Sequence, residues 1–188
     1  MDSPAELFLP RQTSFRGHVD LPGSKSIANR ALLLAALSRG ETLLSHLPDA
    51  DDTRVLLRAL SALGIRWVRE PGGVRVYGSA GAFPVRAASL DLENAGTAMR
   101  PLVAILAFSG GRYSLTGNEQ MQRRPIGDLT GALAAAGLGC KATAGNFPPV
   151  EIDSQGIDSR EIEIKGEVSS QFISALLLAA PLARGTIG

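Results

Sequence analysis

The stretch SKSIANRALLLAALSRG, residues 24–40, places a short polar segment before an apolar run that ends at a glycine. The same arrangement recurs in GTAMRPLVAILAFSGG (96–111) and in SSQFISALLLAAPLARG (169–185). The glycines that close the three stretches are 71 and 74 residues apart. This pattern predicts three corresponding helices, each beginning at its polar segment and ending near its glycine.

A second helix is predicted in two of the repeats. The segments DDTRVLLRALSALG (51–64) and RRPIGDLTGALAAAG (123–137) both end at a glycine, and these two glycines are 73 residues apart. Asp52 or Thr53 is suited to cap the first of these helices, and Pro125 is suited to the first turn of the second. The alternative is chance similarity between Ala- and Leu-rich helices, but two helix registers that agree to within a few residues argue against it.

Short strand-like segments separate the predicted helices. TLLSHL (42–47) and YSLTG (113–117) follow the first helices, and the second helices are followed by IRWVRE, VRVYG, LGCKAT and PVEID. Each unit is therefore predicted to run strand, helix, strand, helix, strand, strand over about 72 residues, in an α/β fold. The third unit stops just after its first helix, which favours a truncated or split polypeptide.

The composition excludes several classes of partner. The 188 residues are 45% hydrophobic and 20% charged with a net charge of +1, so we expect no attraction to nucleic acid or to a membrane surface. The apolar runs are much shorter than the roughly 20 residues of a membrane-spanning helix, and residues 1–17 lack the features of a secretory signal. Cys140 is the only cysteine, which excludes an internal disulfide and a cysteine-based metal cluster. We therefore expect a soluble, cytoplasmic protein.

The loop PGSKS (22–26) indicates an anion site. It departs from the nucleotide-binding P-loop because Ser24 stands between the glycine and Lys25, and in so tight a loop this shift re-aims the backbone amides. The start of a helix nevertheless attracts anions through its free N–H groups and its partial positive charge. Lys25, Ser26 and Arg30 add two full charges and a hydroxyl to this helix start.

Anion-compatible groups recur at the starts of the other two corresponding helices. They are Asn94, Gly96, Thr97 and Arg100 in the second repeat and Ser169, Ser170 and Gln171 in the third. If the repeats pack in a common direction, the three helix starts converge on one region. Arg123 and Arg124 open the second helix of the middle repeat, where a cation opposes the helix dipole and so indicates a ligand.

For each of these residues taken singly, an ordinary structural role is the alternative. A serine at a helix start is commonly a plain N-cap, and an arginine one turn further along commonly belongs to a solvated face. The carboxylates Asp49, Asp51 and Asp52 are interpreted as favourable charges at a helix start rather than as a metal site. Cys140 is interpreted as a small core residue.

Four segments, LPGSKSIANRALLLAAL, NAGTAMRPL, RRPIGDL and SSQFISALLLAAPLA, resemble the 5-enolpyruvylshikimate-3-phosphate synthase family and cover nearly the whole chain in the family's order. The resemblance implies an α/β enzyme of two domains, each built from three βαβαββ units in the inside-out barrel of the enolpyruvyl transferases. It implies that residues 1–14 form an N-terminal strand that normally belongs to the second domain. Residues 15–188 would then form an incomplete first substrate-binding domain, with units at about 15–80, 85–155 and 160–188.

The resemblance also implies roles for the residues at the helix starts. Those matched to shikimate 3-phosphate are Lys25, Ser26, Arg30, Ser169, Ser170 and Gln171. Those matched to phosphoenolpyruvate are Lys25, Gly96, Arg124 and Gln171, with Asn94, Thr97 and Arg100 in support. The catalytic acid and base, for which this segment offers no matched residue, are expected from the missing second domain. The family implies no metal and no organic cofactor, and a monomer when complete.

The implied reaction is transfer of an enolpyruvyl group from phosphoenolpyruvate to shikimate 3-phosphate. Two alternatives stay open: a UDP-N-acetylglucosamine enolpyruvyl transferase of the same architecture, and a fragment that binds anions without catalysis. The chain alone is expected to be inactive. The unmodified NAGTAMRP segment resembles that of the glyphosate-sensitive enzymes.

Overall fold

The computed structural model describes residues 8, 10–158, 161–164 and 169–188. Its helices are α1 (Lys25–Leu37), α2 (Asp51–Ala62), α3 (Gly96–Ser109), α4 (Glu119–Gln122), α5 (Gly127–Ala135) and α6 (Ser170–Ala179), the last followed by a 3₁₀ turn (Ala180–Leu182). Its strands are β1 (Glu41–Leu44), β2 (Arg66–Glu70), β3 (Gly73–Tyr77), β4 (Ala87–Asp91), β5 (Gly111–Thr116), β6 (Cys140–Ala144) and β7 (Phe147–Ser154). None of the described helices is long and apolar enough to cross a membrane.

The middle unit contains every element that the repeat predicts. It runs β4, α3, β5, α4 with α5, β6 and β7, and its four strands form one sheet in the order β4-β5-β7-β6. The first strand pairs parallel with β5, and the other two pairings are antiparallel. The predicted α/β architecture is therefore confirmed, and α4 is an addition that the sequence pattern did not indicate.

The first unit has a smaller sheet of three antiparallel strands in the order β1-β3-β2. The predicted strand before the first helix was wrong for the described part of the chain, since residues 10–24 contain no strand. The segment TLLSHL is a strand only as far as Leu44, because the chain turns at His46, whose φ is 53°. The strand predicted within residues 1–14 lies mostly outside the described residues.

The starts of the three corresponding helices agree with the alignment of the repeats. The helices α1, α3 and α6 begin at Lys25, Gly96 and Ser170, which are 71 and 74 residues apart, as are the closing glycines. In the third unit, the backbone N–H of Ile162 donates to the carbonyl of Gly188 at 2.9 Å. This is where the repeat places a parallel pair like that of β4 and β5.

Helix α3 forms the centre of the hydrophobic core. Its sequence is apolar on nearly every side, and twelve of its residues are buried, as expected for a helix surrounded by other elements. It packs against α1, α2, α5 and α6. The position of α3 therefore fixes how the other helices lie relative to one another.

The end of each of the first two units closes the end of that unit's own first helix. The hydroxyl of Ser79, just after β3, donates to the carbonyl of Ala36 at 3.0 Å. The hydroxyl of Ser154, at the end of β7, donates to the carbonyl of Ala107 at 2.7 Å. The two carbonyls occupy equivalent positions of the repeat. Each serine thus satisfies a carbonyl that the end of a helix leaves without a partner.

The predicted caps of the second helices were wrong. The N-cap of α2 is Ala50, which makes no side-chain hydrogen bond, and the carboxylate of Asp52 is bound elsewhere. Helix α5 begins at Gly127 rather than at Pro125. Its start is fixed by the turn between β6 and β7, because the N–H groups of Ile126 and Gly127 donate to the carbonyl of Asn146 at 2.8 and 3.0 Å.

Candidate functional site

The starts of α1, α3 and α6 meet at one end of the molecule. A narrow cleft of about 20 Å³ lies between them, roughly enough for one water molecule. Its lining comes in pairs from the three helices: Ser26 and Arg30, Thr97 and Pro101, Gln171 and Ser174. The predicted convergence of the helix starts is confirmed. Since the cleft itself is so small, a larger ligand has to lie across the helix starts rather than between them.

These three helices share a feature that the second helices lack. None of α1, α3 and α6 has an acidic residue in its first turn, whereas α2, α4 and α5 carry Asp51 and Asp52, Glu119, and Asp128 there. An acidic side chain is the usual complement of the positive helix end. Its absence from all three converging helices leaves their positive ends available to an external anion.

A polar network joins α1, α2 and α3 beside the cleft. The ammonium of Lys25 lies 3.3 Å from Oδ1 of Asp52, and the hydroxyl of Thr97 donates to Oδ2 of the same carboxylate at 2.9 Å. The fully buried Asn29 donates from Nδ2 to Oγ1 of Thr97 at 2.8 Å. About half of the Lys25 side chain is exposed. The network therefore anchors this lysine while its charge still faces solvent.

Arg100 connects α3 to α6. Its Nη1 donates to Oε1 of Gln171 at 2.8 Å, and its guanidinium carbon lies 5.6 Å from the ring centre of Phe172. Burial lowers the pKa of the Arg100 guanidinium from its ordinary value, and the charge of Arg124 lowers it further. Among the described residues, the buried Nε of Arg100 has no hydrogen-bond partner. The arginine is charged at neutral pH, so this side of the site holds an incompletely compensated positive charge.

Gly96 lies against two guanidinium groups. A Cβ atom at this position would stand 2.9 Å from Nη1 of Arg124 and 3.0 Å from Nη1 of Arg100. The absence of a side chain at Gly96 therefore leaves the space that lets both arginine side chains approach the start of α3 this closely. Arg124 is exposed, and it follows α4 rather than opening α5 as predicted, while Arg123 is the C-cap of α4.

The sequence of the chain also matches the profile of a known family. The profile of the family described as EPSP synthase (3-phosphoshikimate 1-carboxyvinyltransferase) matches residues 10–188 of the chain. The chain belongs to the EPSP synthase family.

Individual members of the EPSP synthase family agree with the profile. The chain is 51% identical over 177 residues to a 3-phosphoshikimate 1-carboxyvinyltransferase of Ralstonia nicotianae, and 51% identical over 179 residues to that of Nitrosomonas europaea. These alignments cover 91% and 94% of the chain but 40% and 41% of the relatives. An EPSP synthase structure from Acinetobacter baumannii superposes with a TM-score of 0.77 at 26% identity, over 90% of the chain and 39% of that structure. The chain thus spans about two fifths of the length of these EPSP synthases.

The structure brings most of the predicted site residues together at this end of the molecule. Lys25, Ser26 and Arg30 share the first turns of α1, and Ser170 and Gln171 begin α6. Ser169 is the N-cap of α6, and its hydroxyl accepts a hydrogen bond from the N–H of Gln171 at 3.2 Å. Their assignment to particular substrates of an EPSP synthase stays a prediction.

Asn94 is turned toward a neighbour rather than toward the cleft. Its Nδ2 donates to Oε1 of Gln120 at 2.7 Å, and its buried Oδ1 has no partner among the described residues. Asn94, two residues before Gly96, therefore does not line the cleft with the other predicted residues.

Asp52 and Asn29 are absent from the predicted site residues although they position Lys25 and Thr97. Asp52 had been assigned to the dipole of its own helix, where it does lie in the first turn. The signal for Asn29 was available in the sequence. An asparagine inside an Ala- and Leu-rich helix is unfavourable unless its amide has a specific partner.

Proposed function

We propose that this chain carries the first-domain half of an EPSP synthase active site. The complete protein would transfer the enolpyruvyl group of phosphoenolpyruvate to shikimate 3-phosphate and release phosphate. The observation that carries the proposal is the convergence of three helix starts without acidic first turns, together with Lys25, Arg100 and Arg124. Family membership supports the choice of substrates.

The chemistry explains why so much positive charge is gathered. Each substrate carries a phosphate and a carboxylate, so their approach in a cleft is strongly repulsive unless cations and amides offset it. In the reaction, a proton adds to the methylene carbon of phosphoenolpyruvate, and a ring hydroxyl of shikimate 3-phosphate attacks the neighbouring carbon. The attacking hydroxyl loses its proton. The methyl group formed by the first protonation then gives up a proton as the C–O bond to phosphate breaks, which restores the C=C bond and releases phosphate. The described residues supply the anion binding, and the proton donor and acceptor are proposed to come from the second domain.

The site has two sides in this proposal. Shikimate 3-phosphate would bind to Lys25, Ser26 and Arg30 from α1 and to Ser169, Ser170 and Gln171 from the start of α6. Phosphoenolpyruvate would bind beside Gly96 and Arg124, where the guanidinium can form paired hydrogen bonds to a phosphate or a carboxylate. Lys25 and Gln171 lie where both substrates can reach them. No cofactor is needed, and glyphosate would inhibit at the phosphoenolpyruvate side.

The experiment that tests the proposal compares the chain alone with a chimaera that adds the C-terminal three fifths of the Ralstonia nicotianae relative. Phosphate release and enolpyruvyl product are measured from both substrates. We expect turnover by the chimaera and no turnover by the chain alone. Lys25→Ala in the chimaera should lower kcat/KM at least 100-fold, which corresponds to about 2.7 kcal/mol.

The matched control is Arg39→Ala, which removes an exposed cation just beyond the other end of α1. This variant should keep the activity of the chimaera. Near-normal kinetics of the Lys25→Ala chimaera would contradict the role of the lysine. An inactive chimaera whose site still binds shikimate 3-phosphate would favour the second candidate, an anion-binding fragment. The exposed, open helix starts make that function accessible to the chain alone.

A further inference from the structure

A second cavity lies at the opposite end of the helices from the candidate site. It has a volume of about 210 Å³ and is formed where α3 ends and where the turn after α6 passes the end of the middle unit. Since α3 has 14 residues, this cavity is about 20 Å from the start of that helix. Its polar lining groups are Arg86, Ser109, Gln155 and Arg184.

Two guanidinium groups, those of Arg86 and Arg184, line this cavity. Within the described ranges, no Asp or Glu oxygen lies within 4.0 Å of either Arg86 or Arg184. Arg86 interacts with the hydroxyl of Tyr113: burial raises the pKa of that hydroxyl, and the charge and hydrogen bond of Arg86 partly offset the rise. Two like charges on one cavity repel each other unless an anion or polar group lies between them.

Two of the last carbonyls of α3 are already bound by donors other than the arginines. Cations near a helix end commonly bind such carbonyls, but those of Leu106 and Ala107 have other donors. The carbonyl of Leu106 accepts from the N–H of Gly110 at 3.1 Å, and that of Ala107 accepts from Ser154. The Ser109 side chain supplies a second, independent observation. Its residue is 8% exposed, it lines the cavity, and its hydroxyl has no partner in the described part of the chain.

We propose that this cavity binds a phosphate-class oxyanion. The two guanidinium groups would form paired hydrogen bonds to its oxygens, and the amide of Gln155 and the hydroxyl of Ser109 would donate to it. The volume is about ten times that of the cleft between the helix starts, so it holds one such anion with several waters. Because Arg86 belongs to the middle unit and Arg184 to the third, the bound anion joins the two units.

A ligand that binds only the folded chain raises its stability, so the test measures thermal unfolding with inorganic phosphate. Chloride at equal ionic strength provides the reference. We expect phosphate to raise the unfolding midpoint of the chain and of its Lys25→Ala variant, in which the candidate substrate site is impaired. In the Lys25→Ala background, where phosphate binding at the candidate substrate site is impaired, Arg184→Gln and Arg86→Gln should abolish that increase. Arg184→Lys keeps the charge but loses the paired N–H donors of the guanidinium, and should retain only part of the phosphate-dependent increase.

The repeat provides a matched control. Arg39 occupies the position in the first unit that Arg184 occupies in the third, one residue before the closing glycine, and it does not line the cavity. Arg39→Gln should therefore keep the full phosphate-dependent increase. A crystal soaked with selenate should show anomalous density between Arg86 and Arg184. The proposal is overturned if phosphate causes no increase, if the increase persists when Arg184→Gln is combined with Lys25→Ala, or if Lys25→Ala alone abolishes it.

Discussion

Gly96 shows how one absent side chain leaves room for two guanidinium groups at the start of α3. An alanine here would place its methyl group within 3.0 Å of both the Arg124 and the Arg100 guanidinium groups, so at least one of them must move. We expect Gly96→Ala in an active two-domain protein to raise KM for phosphoenolpyruvate about tenfold, which corresponds to about 1.4 kcal/mol. Steady-state kinetics at saturating shikimate 3-phosphate measures this change. The fold should be unaffected, because flexible arginine side chains can give way.

Gly131→Ala is the control for that substitution. This glycine lies on the exposed side of α5, and a Cβ there meets nothing within 4 Å. Its replacement should raise the free energy of unfolding by up to about 1 kcal/mol, because alanine favours a helix, and leave KM unchanged. If both variants changed KM equally, steric contact with the arginines would not be the cause.

Cys140 provides a test that depends on pH. The thiol is buried, and burial raises its pKa to about 12, compared with about 8.5 in an unfolded chain. At pH 8 we expect the native chain to react with iodoacetamide at least 100-fold more slowly than the chain in urea, because the thiolate is the nucleophile. Because the thiol is harder to ionise in the folded chain than in the unfolded chain, the neutral buried thiol contributes to stability. This contribution is complete below about pH 8.5 and is lost as the pH rises toward 12. Equal rates in native and unfolded samples would show that the thiol is accessible.

At the scale of elements, β1 has one edge without a strand partner among the described residues. In the middle unit the corresponding edge is covered by β4, with Ser89 opposite Ser114. The 71-residue offset transfers this pair to His18 and Leu43, and an open edge is itself prone to pair with another strand. Although residues 16–20 form no strand in the structure, we expect this exposed segment to pair with the open edge of β1 as a parallel strand in solution.

Disulfide cross-linking tests this pairing in a Cys140→Ser background. The pair His18→Cys and Leu43→Cys should oxidise readily, since neighbouring strands bring Cα atoms within the range that a disulfide requires. The pair His18→Cys and Thr42→Cys is the control, because a shift of one residue directs the side chain to the other face of the sheet. Equal oxidation of the two pairs would contradict the register.

How much the sequence predicts differs between the two kinds of helix start. The repeat located Lys25, Gly96 and Ser170 to the residue because three copies of one pattern constrain one another. The capping roles predicted for α2 and α5 were wrong because backbone groups fix these helix starts, at Ala50 and at the carbonyl of Asn146. Contacts between distant parts of the chain, such as those of Asp52 with Lys25 and Thr97, depend on packing that no local pattern contains.

At the scale of the whole molecule, α1 and α6 each keep an apolar face in solvent. Ile27 and Leu34 of α1 and Ile173 and Leu177 of α6 are all exposed, Leu177 to 68%. In the first unit, α2 covers such faces by packing against both α1 and α3. The repeat therefore predicts that a second helix of the third unit covers this surface in a protein of the relatives' length.

Leu177→Gln tests the consequence for the chain alone. We expect less self-association, because exposed apolar patches promote it, and a change in the free energy of unfolding of less than about 0.5 kcal/mol, because the side chain is exposed. Analytical ultracentrifugation and urea unfolding measure the two quantities. Leu57→Gln, in the buried core, is the contrasting variant and should be strongly destabilising. If Leu177→Gln self-associated as strongly as the original chain, this surface would not be where the chains associate.

Ser79, just after the last strand of the first unit, and Ser154, at the end of the last strand of the second, mark where one unit ends and the next begins. Ser79 and Ser154 fasten each unit's tail to its own first helix rather than to the next unit. A loop inserted beyond these serines would lengthen the connection between two units and leave the hydrogen bonds at the ends of α1 and α3 intact. Such modularity marks the exposed Pro84 and Asp158 as places where a protein engineer can splice in new sequence, each just beyond the buried side chain, Phe83 or Ile157, that anchors the connecting segment in the core.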